Sequence, residues 1–227
     1  MQKAAFFDID GTLFRSSLLI ELVEECIAAG IFPSDTRGRY ADEFRAWQFR
    51  EGTYEAYIDA VVDAFIENIR GVHYGAFVRV GEAVVERAGK KTYRYTRDLI
   101  ADLKGKGYYL VAISQSPKTI LDEFCAAYGF DKVYGRIYEI GPRDLFTGAI
   151  TDVELIKDKS LIVKRVFERH ELDREGSIGV GDTEGDIPLL SSVDTPICFN
   201  PNMQLYQHAK EKDWPIVVER KDVVYTI

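Results

Sequence analysis

Two carboxylates one residue apart, Asp8 and Asp10, close a short apolar run, Ala4-Ala5-Phe6-Phe7, and Gly11 follows them. A run of this kind beside helical patterns suits a strand covered on both faces. In open α/β sheets, ligands bind just beyond the carboxyl ends of such strands. Along an extended backbone, residues i and i+2 point the same way, so the two carboxylates would stand together. They repel unless a cation or a shared proton is present. Gly11 allows the chain to turn sharply at that point. The plain alternative is a strand that ends in an acidic, solvated loop.

Three later stretches bear on that choice. Ser114 ends the apolar run Tyr108 to Ile113, Lys159 opens a helical pattern, and Gly181-Asp182-Thr183-Glu184-Gly185-Asp186 follows another short apolar run. Together with Asp8-Ile9-Asp10-Gly11-Thr12 they resemble, in order, the four motifs of the haloacid dehalogenase (HAD) superfamily, in its phosphoserine-phosphatase-like branch. The resemblance spans Phe6 to Asp186. It implies Mg²⁺-dependent hydrolysis of a small phosphomonoester through an aspartyl-phosphate, with a small phosphorylated metabolite as partner. Asp8 would be the nucleophile, and Asp8, Asp182 and Asp186 metal ligands together with the Asp10 backbone carbonyl. The Asp10 side chain is then free for acid–base work. Mg²⁺ suits such a site, because it takes a few carboxylate oxygens, waters and substrate phosphate.

Ser114, the amides near Gln115, and the Gly11-Thr12 turn would hold the phosphoryl group, and Lys159 would neutralise charge on it and on Asp8. Lys157 and Lys164 are rivals to Lys159, which fits the motif better. The plain alternatives are an N-cap for Ser114, a solvated helix-start lysine for Lys159, and a first-turn acid for Asp186. Arg45 and Arg50, in an aromatic and basic stretch, are candidate clamps for a carboxylate or second phosphate of the substrate. There are departures from the branch. Ser17 stands nine positions after Asp8, where an acid would hold a substrate ammonium. Gln115-Ser116-Pro117 replaces glycines, and Gly185 replaces Asn. Ser17 argues against an obligatory amine, although Glu21 lies one helical turn further on. Phosphoserine phosphatase proper, or a non-catalytic phospho-acceptor on the same fold, are the alternatives.

These residues need strands ending level with one another. Strands are expected over 108–113, 132–140, 145–150, 177–180, 197–199 and 216–218. Helices are expected over 18–29, 53–70, 74–88, 93–106, 118–128, 158–169, 187–191 and 202–210. Pro117 is placed in the first turn of its helix. No strand pattern interrupts residues 16–91. The resemblance implies a Rossmann-like α/β/α core with a parallel sheet, residues 1–15 and 92–227, and, for an all-helical insertion between the first two motifs, a helical cap (C1) domain, residues 16–91; the plain alternative is that these helices merely pack on the sheet.

Composition sets outer limits. The 227 residues, 46% hydrophobic and 29% charged, fit one ordinary domain plus an insertion. The net charge of −8 argues against a nucleic-acid binder, as do thirteen acidic against nine basic residues in 16–91. Cys26, Cys125 and Cys198 are widely spaced and form no zinc or disulfide framework, so a reducing, cytoplasmic setting is expected. His73, His170 and His208 have no ligand spacing. Charges interrupt every apolar run, which excludes a membrane span.

Overall fold

The computed structural model describes residues 2–151 and 153–227. In chain order the strands and α-helices are β1 (Lys3–Asp8), α1 (Leu18–Ala28), α2 (Ala41–Gln48), α3 (Tyr54–Ile69), α4 (Tyr74–Ala88), α5 (Arg94–Gly105), β2 (Tyr109–Pro117) and α6 (Lys118–Ala126). They continue with β3 (Lys132–Ile140), β4 (Phe146–Thr151), α7 (Val153–Lys157), α8 (Lys159–Arg169), β5 (Asp173–Gly181), α9 (Ile187–Leu190), β6 (Thr195–Phe199), α10 (Met203–Glu211), β7 (Ile216–Arg220) and β8 (Val223–Thr226). The chain packs as two units. One comprises Met1–Ser16, Lys91–Arg136 and Asp152–Ile227; the other comprises Ser17–Lys90 and Ile137–Thr151.

The first unit is a Rossmann-like α/β fold. Its sheet runs β3-β2-β1-β5-β6-β7-β8, parallel except for the β7–β8 hairpin. β1 is central, and every residue after Lys3 is buried, which is why its sequence is a continuous apolar run rather than an alternation. One face of the sheet carries Ala4, Phe6, Val111 and Ile113 against Ile162, Val163 and Val166 of α8. On the other face, Phe7 meets Phe130 edge-on, and Phe14 of the loop after β1 meets Phe124 of α6. Register then brings the strand ends level. Asp8 pairs with Ile113, the residue before Ser114, and Phe7 pairs with Val180, the residue before Gly181.

The second unit is mainly helical. α1 buries Leu18, Leu19, Leu22, Val23, Cys26 and Ile27 along one stripe, with Ser17 as its N-cap. Thr53 caps α3, its hydroxyl accepting from the Ala56 amide at 3.1 Å. Residues 137–151, expected with the core, instead pack here. Tyr138 and Phe146 lie edge-on to Phe65 and Phe77, and the backbone of Phe146 bonds both Gly71 and Val72. Aromatic burial therefore assigns this hairpin to the helices, although its first strand continues from β3.

Several boundaries differ from the sequence expectations. β2 runs on to Pro117, which is the N-cap of α6 rather than a first-turn residue. β5 starts at Asp173, and the edge strand β8 and short α7 were not expected. Among the described residues, no helix is long and apolar enough to cross a membrane.

Candidate active site

The strand ends of the first unit gather the acids. Asp8 closes β1 and is 6% exposed; Asp186 is fully buried. Carboxylate oxygens of Asp8, Asp182 and Asp186 lie within 4.8 Å of one another. Lys159, 5% exposed at the start of α8, sets its ammonium 2.5 Å from Asp8 Oδ1 and 2.5 Å from Asp186 Oδ1. Burial separates it from its rivals, since Lys157 and Lys164 are exposed and Lys164 faces Glu168. Asp158, just before it, caps α8 through the Ser160 amide, which fixes where the helix begins and hence where Lys159 stands.

Electrostatics show what this packing costs. Burial pushes Asp8 up to about 7, against the pull of Lys159, and the charges of Asp186 and Asp10 push the same way. Burial, then Asp8 and Asp186, raise Asp182 well above the usual carboxylate range. For Lys159, burial alone would lower the pKa, but Asp186 and Asp8 outweigh it and hold the ammonium above its ordinary value. With all three acids ionised, one ammonium leaves two negative charges uncompensated, the charge of one divalent cation. Asp8 Oδ2 is buried and has no hydrogen-bond partner among the described residues. An orphaned buried oxygen in an all-carboxylate set is what a hard cation such as Mg²⁺ takes up. The residues fit the ion.

The supporting contacts explain the loops. Asp186 Oδ2 accepts from the amides of Asp182 and Thr183 at 3.0 and 3.1 Å, closing a capping box with Thr183. Asp186 is thus a first-turn cap through one oxygen and a partner of Lys159 through the other. A Cβ at Gly181 would fall 2.4 Å from Asp186 Cβ, so only glycine lets the two meet. Gly11 has φ +89°, and a Cβ there would fall 2.1 Å from Asp182 Oδ2. The buried Thr12 donates its hydroxyl to Asp182 Oδ1 at 2.9 Å. That hydroxyl orients a carboxylate rather than being open to phosphate.

Asp10 stands apart from the triad. Its Oδ2 accepts from Ser114 Oγ at 2.5 Å and from Ser116 Oγ at 2.8 Å. Ser114 is therefore no N-cap; that position belongs to Pro117. Gln115 is exposed, and its Oε1 accepts from Arg136 at 2.5 Å. Ser116, Thr183 and Asn202, whose amide donates to the Asp182 carbonyl, were missed by sequence reasoning. For Ser116 a signal existed: it lies two residues beyond Ser114 on an extended stretch.

Arg45 and Arg50 belong to the second unit; Arg45 is exposed and pairs with Asp42 at 3.1 Å, and Arg50 is exposed just beyond α2. Ser17 is buried there as a cap, accepting from the Leu19 amide, and Glu21 pairs with Arg87 at 3.0 Å. His73 caps α4, while His170 and His208 pack on Tyr109 and Trp214.

Known proteins resemble the chain along most of its length. A histidinol-phosphatase of Neisseria meningitidis serogroup C is 28% identical over 231 residues, covering 96% of this chain and 99% of that one. A phosphoserine phosphatase of Mycobacterium tuberculosis is 26% identical over 222 residues, covering 95% and 70%. A crystal structure of a Bordetella pertussis protein of unknown function superposes with a TM-score of 0.74 at 17% identity, covering 95% and 98%. The model of the haloacid dehalogenase-like hydrolases matches residues 5–191, from β1 through α9, and the chain belongs to that family.

Proposed function

We propose that this phosphoric monoester hydrolase cleaves a small-molecule phosphomonoester in two steps through an aspartyl-phosphate on Asp8. The observation that carries the reading is the orphaned Asp8 Oδ2 inside the Asp8–Asp182–Asp186 cluster, with Asp10 held separately by two serines. On this reading one carboxylate attacks and another moves protons. Asp8, Asp182 and Asp186 would hold Mg²⁺. The ion, when bound, offsets the negative charge that would otherwise repel a phosphate dianion.

In the first step an Asp8 oxygen forms a bond to phosphorus as the ester P–O bond breaks, and Asp10 gives its proton to the departing alkoxide. In the second step Asp10 takes a proton from water. The resulting hydroxide attacks phosphorus, phosphate leaves, and Asp8 is restored. Lys159 holds one Asp8 oxygen in place throughout and offsets charge on the transferring group. Ser114 turns its hydroxyl to a phosphoryl oxygen when substrate arrives.

For the leaving group, the two named relatives suggest phosphorylated amino alcohols or amino acids. Ser17 and Glu21 do not favour a free amine as the main handle: the Ser17 hydroxyl caps a helix and Glu21 already faces an arginine. An ammonium drawn from water without an anionic partner carries a desolvation cost. Steady-state kinetics on phosphoserine, histidinol phosphate, sugar phosphates and carboxylated phosphates rank these. A preference for phosphoserine of about tenfold or more in kcat/KM, roughly 1.4 kcal/mol, would overturn the reading of Ser17.

The chemistry is tested on Asp8→Asn, which removes charge with little change of volume. Turnover should vanish while the melting temperature of the metal-free protein holds or rises, because one charge leaves a mutually repelling cluster. Trapped phosphoenzyme should map to Asp8 by mass spectrometry; label recovered on another side chain refutes the assignment.

A further inference from the structure

We infer that Ser116 is a positioning residue for the acid–base carboxylate, keeping Asp10 in register when Ser114 is drawn to the substrate. The inference rests on the reading of Asp10 given above. Both hydroxyls meet the same oxygen, Asp10 Oδ2: Ser114 at 2.5 Å and Ser116 at 2.8 Å. Ser114 and Ser116 are 1% and 3% exposed, so neither hydroxyl has bulk water as an easy alternative. The Ser116 amide also donates to Ser114 Oγ at 2.9 Å, which aims the Ser114 hydroxyl at Asp10.

The sequence explains why both serines reach one carboxylate. A residue before proline is pushed to an extended backbone. Pro117 therefore holds Ser116 extended, and β2 runs four residues beyond Ile113, where the apolar run ends. Residues i and i+2 of a strand share a face, so Ser116 Oγ lies alongside Ser114 Oγ. Gln115 points away from that face and bonds Arg136.

The two serines then have different duties. Ser114 is the hydroxyl called on by a phosphoryl oxygen. Once it turns, Asp10 would lose a donor at the moment its orientation matters most. Ser116 supplies the donor that stays. Because Oδ2 accepts from hydroxyls, the transferable proton belongs on Oδ1. Ser116 thus fixes which oxygen of Asp10 is left to carry the proton.

The test exploits leaving groups. An alkoxide needs Asp10's proton to depart, whereas p-nitrophenolate does not. The Ser116→Ala variant is compared with wild type on p-nitrophenyl phosphate and on the best alkyl phosphate of the panel above, reading kcat/KM, which reports the first step. The alkyl-to-aryl ratio should fall by about tenfold, in the range expected for loss of a charge-assisted hydrogen bond. Ser116→Thr, which keeps the hydroxyl, should restore most of the ratio. A loss equal for both substrates means a merely structural serine and overturns the inference, as does no loss at all. Circular dichroism and thermal melting show whether the alanine variant is folded. If it is not, the threonine variant decides: a ratio lowered as far as that of Asp10→Asn also overturns the inference. Asp10→Asn serves as reference. If it fails to disfavour the alkyl ester, the acid role itself falls, and the inference with it. If it does disfavour that ester and Ser116→Ala does not, only the role of Ser116 falls.

Discussion

Lys159 shows how one side chain makes an otherwise unstable cluster tolerable. It bridges Asp8 and Asp186 at 2.5 Å each in a site almost closed to water. Breaking a buried pair by removing one partner is costly, because the remaining charge is left uncompensated. Lys159→Met should therefore destabilise the metal-free protein by about 3 kcal/mol or more, read as a lower midpoint in urea unfolding. Lys164→Met is the control. That lysine is exposed and 3.8 Å from Glu168, so its loss should be nearly silent. Equal effects would mean that the ammonium of Lys159 is not what holds the two acids.

At the scale of elements, the site depends on how closely the end of β5 approaches the loop that follows it. Gly181 leaves room for Asp186 to fold back and accept the amides of Asp182 and Thr183. In Gly181→Ala the new methyl meets Asp186 Cβ, which is tied to its backbone and cannot simply swing away. Overpacking of this sort costs about 1–3 kcal/mol, and displacement of Asp186 should lower kcat as well. Gly105→Ala, where nothing lies within 4 Å of the added atom, should leave both stability and turnover close to wild type. Urea unfolding and turnover on the two variants check this; similar behaviour would show that the β5 loop is more accommodating than its contacts imply.

For the whole molecule, ligand linkage and thiol protection give two readouts. An ion that binds only the folded chain adds stability, about 2.7 kcal/mol at a hundred times its Kd. Mg²⁺ should therefore raise the melting temperature, chelator should reverse the shift and abolish turnover, and Asp182→Asn should remove the Mg²⁺ response. Ca²⁺ should restore little turnover, because its looser coordination misplaces the nucleophile. The three cysteines are buried and unpaired. Burial, aided by Glu25, pushes the Cys26 thiol up to about 12; burial, aided by Asp186, pushes Cys198 up to about 12; burial also raises Cys125. A raised thiol pKa means less thiolate at a given pH, and the thiolate is the reactive form. At pH 8 the folded protein should resist alkylation, and urea should expose all three thiols; rapid labelling of the native chain would contradict this packing.

Much of this was legible in the chain itself. The buried run before Asp8 identifies a central strand, because only a strand covered on both faces tolerates an unbroken apolar sequence. The stripe from Leu18 to Ile27 likewise identifies a helix with one face inward. Asp8, Lys159, Asp182 and Asp186 are singled out by the order of their motifs, through the resemblance to the haloacid dehalogenase superfamily, rather than by spacing alone. What local pattern could not supply was partnership between distant residues. Nothing in the spacing says that Thr12 binds Asp182; the two-residue spacing puts Ser116 on the face of Ser114 but does not say that both meet Asp10, since side-chain partners depend on strand register. Nor does alternation along 137–151 reveal which unit the hairpin joins. Phe65 and Phe77, some seventy residues upstream, decide that by burying Tyr138 and Phe146 against them, and only the tertiary structure brings those rings together.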